Sequence, residues 1–154
     1  MDKDIIVIGG GPGGYVAAIR AAQLGAKVSV IEKRDLGGTC LNRGCIPTKV
    51  LCKNAEILHT LNHIEDFGVK VSDYSIDVEK IQQRKGEVID KLVGGVSTLL
   101  QANGVAVLRG EAVIEDKNTV RVKLQEGGEK EITTKNLIIA TGSEISMPPI
   151  SGIN

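Results

Sequence analysis

The chain opens on a short continuous apolar run at residues 5–8, the pattern of a strand buried on both faces of a parallel sheet. "GGGPGG" follows. The next stretch, "YVAAIRAAQLGA", repeats apolar residues at helical spacing through Val16, Ala17, Ile19, Ala21 and Leu24. Gly25 is a natural C-terminal stop for that helix. "KVSVIE" then reads as a second strand, so the opening forms one strand–helix–strand unit with a right-handed crossover.

Two longer helical periods come next. Residues 45 to about 63 predict a helix with Pro47 tolerated near its start and a broad apolar face built on Leu51, Ala55 and Leu58. Residues 78 to about 102 predict another, carried by Val78, Ile81, Val88, Ile89, Leu92, Val96 and Leu99 and ended by Asn103-Gly104. The pair Gly94-Gly95 weakens it locally. After that the period shortens. "VAVLRG" is expected to be a buried strand, and "EAVIED", "TVRVKL" and "EKEITTK" the separate strands of a small antiparallel meander. Lys117-Asn118 and Gly127-Gly128 are its turns, and "NLIIATGS" returns to a buried strand ending in a glycine turn. The expected fold class is α/β: a Rossmann-like parallel sheet carrying helices, with an inserted antiparallel β-meander.

Composition narrows the function. A chain of 154 residues is long enough for one domain with its own core. Lys plus Arg and Asp plus Glu number 19 each, and the aromatic residues are only Tyr15, Phe67 and Tyr74. That leaves neither an electrostatic footprint nor a stacking platform for nucleic acid, which is not an expected partner. No apolar run approaches the roughly 20 residues of a membrane helix, and the start lacks the pattern of a secretory signal. With no export signal and three cysteines, a cytoplasmic protein is expected, in which a close cysteine pair is catalytic or metal-binding more often than a permanent staple. The 19 glycines exceed the usual share of about 7% and fall in clusters, which marks special turns.

The first cluster carries chemistry. Gly9-x-Gly11-x-x-Gly14 lies directly after a strand and opens a helix, where Gly9 makes the tight turn, Gly11 admits a pyrophosphate and Gly14 lets helix and strand pack closely. Pro12 and Gly13 complete the loop at the helix N-terminus, whose free amides suit phosphate. Glu32 ends the second strand, where a carboxylate bonds ribose hydroxyls, and Lys33 follows it. An acid there favours an unphosphorylated ribose, so the ligand is FAD or NAD rather than NADP; these residues alone do not choose between them.

The second cluster is "GGTCLNRGCIPTK" at residues 37–49, with four residues between Cys40 and Cys45. A short disulfide loop is feasible at that spacing. A structural zinc site wants four ligands from paired clusters, and only Cys52, His59 and His63 remain, so no metal is expected. Loop closure this short stabilises little, which makes chemistry the better reason for the pair. Cys45 falls at a predicted helix N-terminus that favours thiolate, and Lys49 adds a positive charge one turn along. Arg43 reads as an exposed loop residue, and Cys52 as a buried helix cysteine. His59 and His63, with Glu56 a turn earlier, read as a polar helix face.

"GGTCLNRGCIPTK" resembles the redox-active segment of the flavin disulfide reductases, and "IIVIGGGPGG" and "LIIATGS" are similar to that family's FAD-domain motifs. The likeness covers essentially the whole chain, and "CIPTK" looks most like the lipoamide dehydrogenases; Arg43 departs from the valine of many members. The resemblance implies that Cys45 faces the flavin, that Cys40 meets the substrate dithiol and that Lys49 sits near flavin N5. It implies that Gly9, Gly11, Gly14 and Glu32 hold the ADP half of FAD, that Gly38 and Thr39 belong to the same site, and that Thr141-Gly142 pass close to the cofactor. Electrons would run from dihydrolipoyl groups through Cys40–Cys45 to FAD and then NAD, the partner being a lipoyl protein of an acyl-transfer complex.

The family's chains are longer, and no second G-x-G-x-x-G occurs here. The resemblance therefore implies an N-terminal segment of the FAD-binding domain, 1–154, without the NAD domain or the interface domain that forms the homodimer. Such a segment is expected to bind FAD weakly or partially, to lack NAD-linked turnover and to expose an apolar face that favours self-association. The rival reading is a stand-alone NAD- or ADP-binding module with inert thiols; a glutathione or mercuric type of disulfide reductase is the nearer alternative.

Overall fold

The computed structural model describes residues 1–153. The chain runs β1 (Lys3–Ile8), α1 (Pro12–Gln23), β2 (Val28–Glu32), α2 (Gly38–Arg43), α3 (Cys45–Asn62), a short 3-10 turn (Ile64–Phe67), α4 (Val78–Ala102), β3 (Ala106–Ile114), β4 (Thr119–Leu124) and β5 (Glu129–Ile139). β1 lies between β2 and β5, and β3 lies beyond β2, all parallel. β4 runs antiparallel to both β3 and β5, so the sheet closes on itself.

Alternation along β1 explains the apolar opening. Val7 faces the helices, where it packs with Ala18, Val30, Leu36, Val96 and Leu100. Ile6 and Ile8 face the other way, into a second core with Ile31, Val120, Val122 and Ile132. Both faces of the strand are covered, which is what a run without polar residues requires. Each such side chain taken fully from water contributes roughly 1.5–3 kcal/mol.

The meander differs from expectation. Residues 105–116 and 129–143 were each expected to hold two strands, yet each holds one long strand, β3 and β5. The first half of β3 pairs with β2 and its second half with β4; β5 is shared between β4 and β1 in the same way. The reason is steric. At Gly110 a side chain would run into the carbonyl of Lys123, so only glycine lets β3 cross into the second sheet without a break. The meander is thus a continuation of the parallel sheet. α4 also passes through Gly94-Gly95 uninterrupted, capped at its start by Asp77, whose carboxylate accepts from the Lys80 amide at 2.9 Å.

Two aspartates tie the start of the chain to the sheet. Asp2 accepts from the amide and hydroxyl of Thr133 at 3.0 and 2.9 Å, and these bonds hold its carboxyl below the ordinary carboxylate range. Asp4 is lowered by its bond to Lys135 and by the Lys27 amide. A carboxylate whose folded-state pKa is depressed adds stability above its unfolded pKa and loses it as pH falls through the folded value. The melting temperature is therefore expected to hold above about pH 5 and to fall below about pH 4. Asp2→Asn with Asp4→Asn should flatten that acid limb in a thermal-melt series against pH.

Candidate functional site

Two glycines of the turn, Gly9 and Gly14, are closed in by backbone. Gly9 has φ 105°, and a side chain there would meet the Ala140 carbonyl at the end of β5. One at Gly14 would meet the carbonyl of Gly9. α1 begins at Pro12 with Gly11 as its cap and no side-chain capping bond. Pro12 has no N–H and the Gly14 and Tyr15 amides donate to the Gly11 carbonyl, which leaves the Gly13 amide of the first turn open to an anion. Glu32 braces this turn: one carboxylate oxygen accepts from the Gly10 amide at 2.6 Å and the other from the Arg34 amide at 2.7 Å. Each oxygen keeps a further lone pair for a hydroxyl group.

The cysteine segment lies against that turn. The Gly37 amide donates to the Gly10 carbonyl at 2.8 Å. A side chain at Gly38, which has φ 73°, would come within 3.0 Å of Gly11 Cα and 2.9 Å of Pro12 Cδ. Glycine on both strands of this contact is what lets the two motifs touch. Asn42 holds the bend, its amide donating to the Leu36 and Gly38 carbonyls at 2.9 Å each. Cys40 on α2 and Cys45 at the first position of α3 form a disulfide, with Cα atoms 4.8 Å apart.

A cleft of about 460 Å³ opens where these parts meet. Gly9, Gly11, Pro12 and Gly13 form one wall, Glu32 and Lys33 a second, Gly38, Thr39 and Cys40 a third, and Thr141 and Gly142 a fourth. Of the other residues singled out in the sequence, Gly14 is buried beneath the turn. Cys45 is exposed at the head of α3, and Lys49 is exposed along a separate groove between α3 and α4 with Ile46, Val50 and Arg84. Sequence reasoning missed Asp35, Ser143 and Glu144 on the rim, where Glu144 pairs with Lys33 at 3.5 Å and Arg34 at 3.3 Å. It also missed an adjoining cleft of about 260 Å³, floored by Ile8, Ile31 and Ala112 and sharing Gly9, Glu32 and Thr141. Asn42 was legible only as a polar residue between two cysteines; its double bond to the bend needs the fold.

The family model described as pyridine nucleotide-disulphide oxidoreductase matches residues 3–154. The chain belongs to that family. Among curated pyridine nucleotide-disulphide oxidoreductases it is 50% identical over 149 residues to a dihydrolipoyl dehydrogenase of Bacillus subtilis, covering 96% of this chain and 32% of the relative. It is 50% identical over 153 residues to that of Acholeplasma laidlawii, covering 99% and 44%, and 46% identical over 150 residues to a dihydrolipoamide dehydrogenase of Chaetomium thermophilum, covering 96% and 30%. The chain thus spans between a third and a half of their length, or slightly less.

Two smaller expectations need correction or placement. Cys52 is exposed, not buried: α3 fully buries only Val50. His59 and His63 meet edge to face with ring centroids 4.7 Å apart, and the described residues hold no group of three or more candidate metal ligands. No helix among the described residues is long and apolar enough to cross a membrane.

Proposed function

We propose that these residues form the FAD-binding and disulfide-bearing part of a dihydrolipoyl dehydrogenase that passes electrons from dihydrolipoyl groups through Cys40–Cys45 and FAD to NAD. The observation that carries this reading is that Cys40, from a formed disulfide, opens into the same cleft as the glycine turn and Glu32. On this reading the Gly13 amide and the helix end at the start of α1 take the pyrophosphate, Glu32 the ribose, and the apolar floor of the adjoining cleft the adenine ring. A cradle in which Gly9, Gly14 and Gly38 leave no room for a side chain fits such a group.

The disulfide chemistry follows from exposure of both cysteines. A substrate thiolate attacks one sulfur and the other departs as thiolate. The second substrate thiol, having lost its proton to solvent, resolves the mixed disulfide and leaves as the cyclic disulfide. Two electrons remain on Cys40 and Cys45. FAD, when bound, supplies the two-electron acceptor. Cys45 at a helix N-terminus is held where a thiolate is favoured, with Lys49 one turn further along α3.

The same reading places the NAD site and the homodimer contact outside residues 1–154, and takes a lipoyl protein of an acyl-transfer complex as partner. Exposed Leu51, Ile57, Leu92 and Leu99 on α3 and α4 would be covered by such further parts, or drive self-association of this segment alone.

The test is a flavin and turnover assay on the purified whole protein. Stoichiometric FAD, thiols that appear on adding dihydrolipoamide, and NADH formation from NAD are the expected results. No flavin and unreactive thiols would give the site to a stand-alone nucleotide module. Turnover with glutathione in place of dihydrolipoamide would move it to another disulfide reductase.

A further inference from the structure

We infer that Arg43 and Asp35 set the redox equilibrium of the Cys40–Cys45 pair, the guanidinium favouring the reduced dithiol and the carboxylate opposing it; this rests on the redox reading of the disulfide given above.

Arg43 closes α2 three residues after Cys40. Residues three apart on a helix share a face, with Cβ atoms roughly 5–6 Å apart. Cys40 and Arg43 accordingly line the same cleft. Arg43 is also two residues before Cys45, inside the ring that the disulfide closes. A short helix and a covalent loop therefore hold the Arg43 backbone within the disulfide ring, one helical turn from Cys40.

Among the described residues the charge of Arg43 is balanced by a single carboxylate, so that removing either partner leaves the other uncompensated at the rim of the cleft. Lys33 and Arg34 are both engaged by Glu144. The only ion-pair partner of Arg43 among the described residues is Asp35, at 3.2 Å, on the turn after β2. Both side chains are about half exposed, 52% and 56%, so the pair adds little to fold stability. Nor is it needed to hold the bend, because Asn42 does that through two bonds to the Leu36 and Gly38 carbonyls. What remains is the field at the sulfurs.

That field acts on one redox state. The disulfide is neutral. Reduction by a dithiol breaks the sulfur–sulfur bond, places two electrons on the pair and leaves thiols that ionise in part, while the dithiol closes to its cyclic disulfide. Negative charge appears only in the reduced form, so a nearby cation stabilises that form and a nearby anion destabilises it.

Sign gives the test. Arg43→Met and Asp35→Asn both abolish the ion pair, so a merely structural role would move both variants the same way. The whole protein is equilibrated at fixed pH and low salt with mixtures of reduced and oxidised dithiothreitol, and the Cys40 and Cys45 thiols are counted by alkylation and mass spectrometry. Cys52 is free in both states and serves as the internal reference. Arg43→Met should shift the exchange constant about three- to tenfold toward the disulfide, roughly 15–30 mV more reducing. Asp35→Asn should shift it by a similar factor toward the dithiol, and Arg43→Lys should stay near the parent. Raising salt should shrink both shifts. Shifts of one sign, or none in either variant, overturn the inference while leaving the redox reading intact. A parent disulfide that does not exchange with the dithiol at all overturns both.

Discussion

Gly14→Ala is expected to strip the protein of its flavin and to lower its stability by roughly 1–3 kcal/mol. The added methyl would fall on the carbonyl of Gly9, with Val7 Cγ1 at 3.4 Å behind it. Neither neighbour can yield cheaply. Gly9 is pinned at φ 105° against the Ala140 carbonyl, and its own amide is held by Ile31. Relief must come from moving α1 off β1, which carries the helix N-terminus away from the cleft. The same change at Gly94 in α4 meets nothing within 4 Å and should instead stabilise by roughly 0.5–1 kcal/mol. Flavin absorbance and urea unfolding of the two variants check both signs. A Gly14→Ala protein with full flavin and an unchanged unfolding midpoint would remove the close-packing account of the cradle.

The contrast between those glycines also shows what local pattern can carry. β1, α1, β2, α3 and α4 lie where hydrophobic period placed them, although on α3 and α4 that period marks residues such as Leu51, Ile57, Leu92 and Leu99 that stay exposed in this segment. The glycine turn and the cysteine segment were readable because each is a continuous motif. α2 was not readable. Its six residues, GTCLNR, bury none of their number fully and are set by the Gly37 bond to Gly10 and by the Asn42 amide. The single long strand β3 was hidden for a related reason: Gly110 looks like a strand end until Lys123 is known to pass beside it. The rim and floor of the two clefts come from residues near 35, 110 and 143, which no local motif joins. Cys52 misled because a broad apolar helix face does not tell which of its sides a neighbour covers, and this cysteine is left exposed.

The largest effect belongs to the cysteines. Cys40→Ser and Cys45→Ser are each expected to cut dihydrolipoamide-dependent NADH formation by the whole protein at least about a thousandfold, and the double change to cost no more than either alone. Groups that act as one unit fail together. A lone thiol cannot break a disulfide to accept two electrons, whichever sulfur is left. The fold should survive, because a ring this small contributes only on the order of 2 kcal/mol through loop closure and the bend is held independently by Asn42. Flavin content should survive too, since the glycine turn and Glu32 do not depend on the sulfurs. The two single variants should still differ in one respect. Cys40 opens on the cleft and Cys45 does not, the reverse of what the resemblance implies for the flavin-facing thiol. Bound nucleotide should therefore slow alkylation of Cys40 in the reduced Cys45→Ser protein more than that of Cys45 in the reduced Cys40→Ser protein. Comparable protection of both would show that the cleft, once filled, reaches past α2 to the head of α3; retained turnover in either single variant would take the electron path away from this pair.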